Sequence, residues 1–328
     1  MWPGKSRSTR AITSAFVTGE RRDLEYLRSH PSVMGFSNEA VWFGLALLSA
    51  FFQVLRNMSM KHLGHALDDT INVWGRFTFI LPFLAGFVLW HGIPPLQPGF
   101  WWYVLLFGLA QTLATLSLSK ALKLSGIAMV TALWKISLLV LVICAFFTLG
   151  EVPSPLGLLG VLVSMVGVYL LNVQKGRLSL WAPLRELVAN RGLRYTLWAA
   201  VLYAPSVVLI KQLIVLSDVY FSNLMAYLAA SLIVLPVVLR YSAKHFVQVP
   251  RHWPSFLSMG LFACLSSVCH SIAFKMTLTS YVEAVKQTEV LFALGIGYVV
   301  FHERAQVRAI VPGSLTIMAG MVLLQLGG

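Results

Sequence analysis

Charge is what this sequence has least of. Asp, Glu, Lys and Arg make up 11% of its 328 residues, and only 12 residues are acidic; a soluble domain carries about a quarter charged residues. With 58% of residues hydrophobic, a water-soluble fold would have nothing to cover its surface with, so the solvent is lipid and the chain is polytopic. Cysteine is scarce too. Cys144, Cys264 and Cys269 lie in apolar runs without CxxC or Cys/His spacing, which argues for small buried hydrophobes against a disulfide framework or a metal site. H-E-x-x-H, G-x-S-x-G and nucleotide-binding motifs are missing, and the one aspartate pair, Asp68-Asp69, stands in a connection. An enzyme, a resident cofactor or ATP-driven work is therefore not expected. The net charge of +13 does not point to nucleic acid, because the basic residues are scattered between apolar spans rather than gathered on one patch. At span ends they act as topology and headgroup anchors.

Apolar runs of about 20 residues, each long enough to cross a bilayer, recur near 39–60, 70–91, 100–120, 126–149, 153–174, 195–215, 219–241, 253–275, 279–302 and 306–327. All ten are expected to be helices, since an open strand leaves its backbone unsatisfied in lipid. Turn chemistry separates them, as in "HGIPPLQPG" and "GEVPSP". Residues 1–38 are polar and read as a flexible tail without the apolar core of a signal peptide. The longest internal polar stretch divides the chain into a first five-span half, 39–174, and a second, 195–328. Within the connection 175–194, "LWAPLRELVA" has the spacing of a short helix lying on the membrane surface, with Trp181 as an anchor.

The halves resemble each other at an offset of about 152 residues. "ALWKISLLVLVICAFFTLGE" (Ala132–Glu151) aligns with "AVKQTEVLFALGIGYVVFHE" (Ala284–Glu303), and the spans that follow end in "GVYLL" and "GMVLL". An odd number of spans per repeat inverts the second copy, an architecture behind many alternating-access transporters. The paired Gly150-Glu151 and His302-Glu303 ends, the "LYAPSVVLIKQL" of Leu202–Leu213 and Arg76 in the second span carry a resemblance to ten-helix members of the EamA group of the drug/metabolite transporter superfamily. The resemblance covers about 39–328 and implies an all-α membrane fold of two inverted five-helix repeats and a transport function. Leu138 and Val290 stand near places where such proteins often have proline.

Charges inside the spans point to a site. Lys135 lies about eight residues into its span, ~12 Å deep at ~1.5 Å per residue. An isolated charge there costs at least ~2.5–3.5 kcal/mol, so it should face a partner or a wet cavity. In "SYVEAVKQTEVL", Glu283, Lys286 and Glu289 recur every third residue and should share one side of a single helix. The repeat alignment pairs Ser137 with Glu289 and Lys135 with Gln287, so both halves offer polar groups at matching depth. Two readings stand side by side: a static ion-pair network holding the halves together, or substrate and proton handling. Arg76, His270 and Gln111 are softer candidates that serve equally as packing or helix glue. Trp74, Trp134, Tyr203 and Tyr227 are candidate cavity walls. Lys120, Lys123, Lys211 and Lys275 fall near span ends and are expected to reach headgroups. Glu151 and Glu303 are expected to cap the helix that follows each.

The expected activity is secondary transport of a small polar metabolite, an amino acid or related organic anion or zwitterion, by alternating access with proton-coupled export or exchange. Lys135, Lys286, Gln287 and Arg76 would bind substrate and Glu283 or Glu289 would carry the proton. The alternatives are a translocator of lipid or lipid-linked headgroups and a phosphorylated-metabolite exchanger. The expected partners are the small-molecule substrate, the bilayer and protons; the expected location is the inner cell membrane, as monomer or homodimer. Connections after odd-numbered spans hold most of the Lys and Arg and so read as cytoplasmic, whereas the basic N-terminal tail argues the other way. Both termini share one side.

Overall fold

The structure, a computed structural model, describes residues 38–64, 67–125, 130, 133–134, 136–173, 190–301 and 307–327. Two units divide the chain, Met1–Val41 and Trp42–Gly328; of the first, only 38–41 are described, as helix. The expected tail, the surface helix of 175–189, Lys135 and Glu303 all lie outside the described residues.

The described residues form helices: α1 (Asn38–Gly64), α2 (Asp69–Thr78), α3 (Leu81–His91), α4 (Phe100–Leu124), α5 (Ile136–Leu149), α6 (Pro155–Val173), α7 (Arg191–Leu216), α8 (Val219–Tyr241), α9 (Trp253–Met276), α10 (Thr279–Lys286), α11 (Glu289–Phe301) and α12 (Val307–Gly327), with a 3₁₀ stretch over Ala243–His252. Six helical stretches among them are long and apolar enough to cross a membrane, and Ile136–Leu149, Pro155–Gly167 and Pro312–Gly327 are shorter apolar helices. Many large apolar side chains point outward, Leu89, Phe147 and Leu232 among them. In water that surface would be a liability; against acyl chains it is the expected face.

Two spans read as single helices are broken. The second parts into α2 and α3 around Phe79–Ile80, because Pro82 in the first turn of α3 has no N–H to give the preceding turn. The ninth parts into α10 and α11 at Gln287–Thr288 without proline. There the amides of Gln287, Thr288 and Val290 bond three residues back, to Ala284, Val285 and Gln287, which is 3₁₀ pairing and turns the chain more tightly than an α-helix. Glu283 and Lys286 therefore end one helix and Glu289 begins the next, which corrects the single-helix reading.

With lipid outside, apolar burial hardly drives helix association, so close backbone approach and polar contacts must do so. The pairing of α6 with α12 is the clearest case. A methyl group on Gly160 would sit 2.8 Å from the carbonyl of Gly320, and one on Gly320 would sit 2.3 Å from Ser164 Oγ. The helices meet backbone to backbone because both positions lack a side chain. Polar glue joins α1 to α9, where Ser49 Oγ donates to the Ser266 carbonyl at 3.0 Å and Ser266 Oγ donates to that of Ser49 at 2.9 Å. Helix α7, from the second half, packs on α4 and α5, and α8 packs on α2, α3 and α4. The halves thus interleave.

Candidate functional site

The polar residues between these helices surround two adjoining spaces. The larger is a cavity of about 460 Å³ whose wall includes Arg56 and Gln53 of α1, Arg76 of α2, Gln111 of α4, Tyr227 of α8 and His270 of α9. A small recess of about 30 Å³ lies between Ser137 and Leu141 of α5, Tyr203 of α7, and Glu283, Gln287 and Glu289. Gln53, Trp134, Tyr203, Lys286 and Glu289 line both. Ser137 and Glu289, equivalent in the repeat alignment, thus border the same recess.

Glu283 is the most heavily contacted carboxylate here. Its Oε1 lies 3.3 Å from Lys286 Nζ one turn on and 2.9 Å from His270 Nε2, and it accepts from the Tyr203 hydroxyl at 3.4 Å. The histidine contact is close but off the line of a good hydrogen bond, so Nε2 stays a buried polar atom without an aligned partner. Burial of this carboxylate is tolerable because a cation is one turn away. Glu289 accepts from Gln53 Nε2, which ties α11 to α1. The indole of Trp134 and the ring of Tyr203 lie 5.0 Å apart and form an aromatic wall. Gln111 Oε1 accepts from Ser206 at 2.8 Å, one residue past the Pro205 inside α7.

The structure brings together Trp134, Tyr203, Tyr227, Gln111, Arg76, His270, Glu283, Lys286, Gln287 and Glu289 around these spaces. Trp74 is elsewhere. Its ring packs on Phe246 at 4.9 Å and Phe79 at 6.3 Å, in a cluster built around Phe77 and Phe256, and it does not line the cavity. An aromatic residue in a span shows no preference in sequence between cavity and helix packing, and here packing wins.

Arg56, Gln53 and Asn57 went unrecognised in the sequence, yet all three line the cavity. A signal for them existed. Gln53, Arg56 and Asn57 fall at i, i+3 and i+4, a polar stripe on one face of an otherwise apolar span. Arg56 is 8% exposed.

A second polar cluster forms away from the cavity. Lys211 does not reach headgroups: its side chain is 17% exposed, with Nζ 2.6 Å from Glu151 Oε1 and 3.0 Å from the Thr277 carbonyl. Glu151 does not cap the helix that follows it but the start of α10, accepting from the Thr279 amide at 2.8 Å and hydroxyl at 2.7 Å. Leu278 at the N-cap of α10 supplies no side-chain bond of its own, so a carboxylate from the first half supplies the cap. The Tyr281 hydroxyl also accepts from the Ser154 amide at 3.0 Å. Loop 150–154 therefore anchors the helix that carries Glu283 and Lys286.

Lys123 pairs with Asp68 at 3.6 Å and Lys120 lies 5.6 Å over the Tyr195 ring. Asp68 accepts from Ser242 Oγ at 2.6 Å and from the Thr70 amide at 3.3 Å. Partial burial opposes its ionisation, but the bonds from Ser242 and Thr70 and the Lys123 charge prevail and hold its carboxyl down to about 2.

Comparison with known proteins agrees with this architecture. The sequence profile of the EamA-like transporter family matches twice, over residues 40–173 and 190–326. A solved structure, described only as a crystal structure of a protein, aligns with 88% of this chain and 96% of its own at 17% identity and a TM-score of 0.69; at that identity the likeness is one of fold. No curated protein matches the chain. By the two family matches that together span most of it, the chain belongs to the EamA-like transporter family, multi-pass membrane transporters of the drug/metabolite transporter superfamily.

Proposed function

We propose that this chain is a secondary active transporter that moves a small polar metabolite, an amino acid or related organic anion or zwitterion, by alternating access. The single observation that carries this reading is the cavity of about 460 Å³ between helices of both halves, with Arg56, Arg76, Lys286 and Glu289 on its wall. Buried charge is costly in a membrane and marks a solute or ion path by default, and the volume suits a metabolite. In this reading Lys286, Arg76 and Gln287 bind substrate, Lys135 joins them, and Trp134, Tyr203 and Tyr227 flank its apolar part. Glu289, whose partner is the neutral Gln53, takes up the proton, while Glu283 holds Lys286 and His270 in place. The protein works in the inner membrane as monomer or homodimer, as exporter or exchanger.

Ten spans in two inverted five-helix repeats, 39–174 and 195–328, belong to the same proposal. Support comes from which connections touch. Asp68 meets Lys123 and Ser242, and Ser125 Oγ donates to Asn190 at 2.8 Å; these follow odd-numbered spans. Gln97 donates its amide to the Leu216 carbonyl at 3.0 Å, and Glu151 meets Thr279; these follow even-numbered spans. Such sorting is what successive crossings produce. The Glu151 cluster then closes the even end, and rocking of one repeat against the other must release it.

The test is counterflow in proteoliposomes: vesicles loaded with one unlabelled solute and offered its labelled form, across amino acids, organic acids and sugar phosphates at pH 6 and 8. Saturable counterflow that is abolished in folded Lys286→Gln supports the reading. Absence of counterflow for every solute with correctly inserted protein rejects it.

A further inference from the structure

The cavity wall is unevenly furnished. Its neutral polar side chains largely satisfy one another: the hydroxyls of Tyr227 and Ser267 lie 2.7 Å apart, Asn223 Nδ2 donates to Ser271 at 2.7 Å, and Ser206 donates to Gln111 at 2.8 Å. Lys286 has Glu283 at 3.3 Å. The two arginines are different. Among the described residues no carboxylate lies within 4.0 Å of Arg56 or Arg76. Arg56 Nε and Nη2 both donate to Asn57 Oδ1, at 3.3 and 2.9 Å. That clamp fixes one edge of the guanidinium plane and leaves its remaining N–H groups for another acceptor. Arg56 is buried to 8% exposure, and another cation, Arg76, lines the same cavity. Two like charges facing one cavity repel each other, and an anion between them relieves that repulsion.

The charge balance gives the sign of the occupant. Arg56, Arg76 and Lys286 line the cavity against one lining carboxylate, Glu289. Counting Glu283 as well, the described residues still leave a positive surplus. A cationic solute meets two repelling guanidiniums, whereas a planar or tetrahedral oxyanion offers paired acceptors that match a guanidinium fork.

We propose that Arg56 and Arg76 form an oxyanion subsite at the α1–α2 side of the cavity, oriented by Asn57, and that the solute this protein takes is a soluble organic compound of net negative charge whose carboxylate or phosphoryl group docks there. The inference rests on the transporter reading for its biological meaning, but the subsite itself is a binding property that stands or falls alone.

The experiment is binding to purified full-length protein in detergent, read by thermal shift and by calorimetry. The probes are succinate, glucose 6-phosphate, L-alanine, spermidine and phosphatidylglycerol, against wild type, Arg56→Gln, Arg76→Gln and Arg56→Lys. Binding to the folded state raises the melting temperature by mass action. The expected result is stabilisation by succinate or glucose 6-phosphate, which of the two naming carboxylate or phosphoryl chemistry, with at least tenfold weaker binding in both glutamine variants. The apo melting temperature of those variants is unchanged or higher, since a like-charge repulsion has been removed, and Arg56→Lys retains part of the affinity. Four results overturn the inference: no stabilisation by either soluble anion; equal anion affinity in wild type and Arg56→Gln; stronger binding of L-alanine or spermidine than of the anions; or stabilisation by phosphatidylglycerol alone. If Arg56→Gln fails to fold, Arg76→Gln and Arg56→Lys carry the same comparison. Counterflow of L-alanine that is indifferent to Arg56→Gln leaves the transporter reading intact and removes the subsite. Arginine-dependent succinate binding with no counterflow of any solute does the reverse.

Discussion

Two polar clusters in this protein are built from the same kinds of residue and differ in one respect. At the end of α5, Glu151 is saturated: Lys211 Nζ, the Thr279 amide and the Thr279 hydroxyl all donate to it within 2.8 Å. In the cavity, Arg56 and Arg76 have no carboxylate within ion-pair distance among the described residues. A saturated buried charge has nothing left for a ligand and works as a fastener. An unsaturated one holds unspent hydrogen-bonding capacity, and in low dielectric that is costly to keep unless something else uses it. In the proposed function, the contrast separates the part that would close the protein from the part that would receive a solute.

Mutation should expose the difference. Glu151→Ala is expected to be the most damaging change, because it leaves Lys211 buried without its counter-charge and strips the cap of α10. Loss of one partner of a buried pair costs about 3–5 kcal/mol. Fluorescence-detected gel filtration should show little monodisperse protein, and adding Lys211→Met should recover part of the loss, the non-additivity expected of direct partners. If Glu151→Ala melts like wild type, the fastener description is wrong. Gly320→Val comes next. Its side chain has nowhere to go beside Ser164 and the Gly160 carbonyl, and overpacking of this kind costs about 1–3 kcal/mol, read as a lowered melting temperature. Arg56→Gln sharpens the comparison from the other side: no loss of apo stability, with about tenfold, or about 1.4 kcal/mol, weaker binding of an anionic solute.

Asp68→Asn should have the smallest effect. The folded carboxyl is held down to about 2, below its unfolded value, so its contribution is complete above about 4 and is lost as pH falls through about 2. At pH 7 the variant loses all of that contribution, but solvent screening of this partly exposed group limits it to less than about 1 kcal/mol. The wild-type and variant melting temperatures, slightly apart at pH 7, should converge as pH approaches 2. A gap of constant size across that range would assign the effect to packing instead.

How far each feature could be read in advance follows its physics. The apolar runs and the two-fold layout were legible, because lipid allows a spanning segment little other than a helix and repetition survives in sequence. The polar groups Glu283, Lys286 and Glu289 were visible for the same reason, since any charge in a span stands out. Arg56 was missed because it sits late in the first span, where a basic residue reads as an anchor. Trp74 was misplaced because aromatic residues pack and line cavities alike. In sequence Lys211 reads as a headgroup anchor and Glu151 as a cap for the helix that follows it, because 60 residues separate them and nothing along the chain joins them.

What the sequence by itself determined is the class of object: a helical membrane protein of two related halves, since the solvent demands internally satisfied backbones and there is too little charge for water. What only the tertiary structure decided is who meets whom. The break at Gln287–Thr288, the reach of Glu151 to Thr279 and the like-charged pair at Arg56 and Arg76 depend on how helices distant in sequence pack. Electrostatic and hydrogen-bond energies depend on distances across space, and distance along the chain does not supply them.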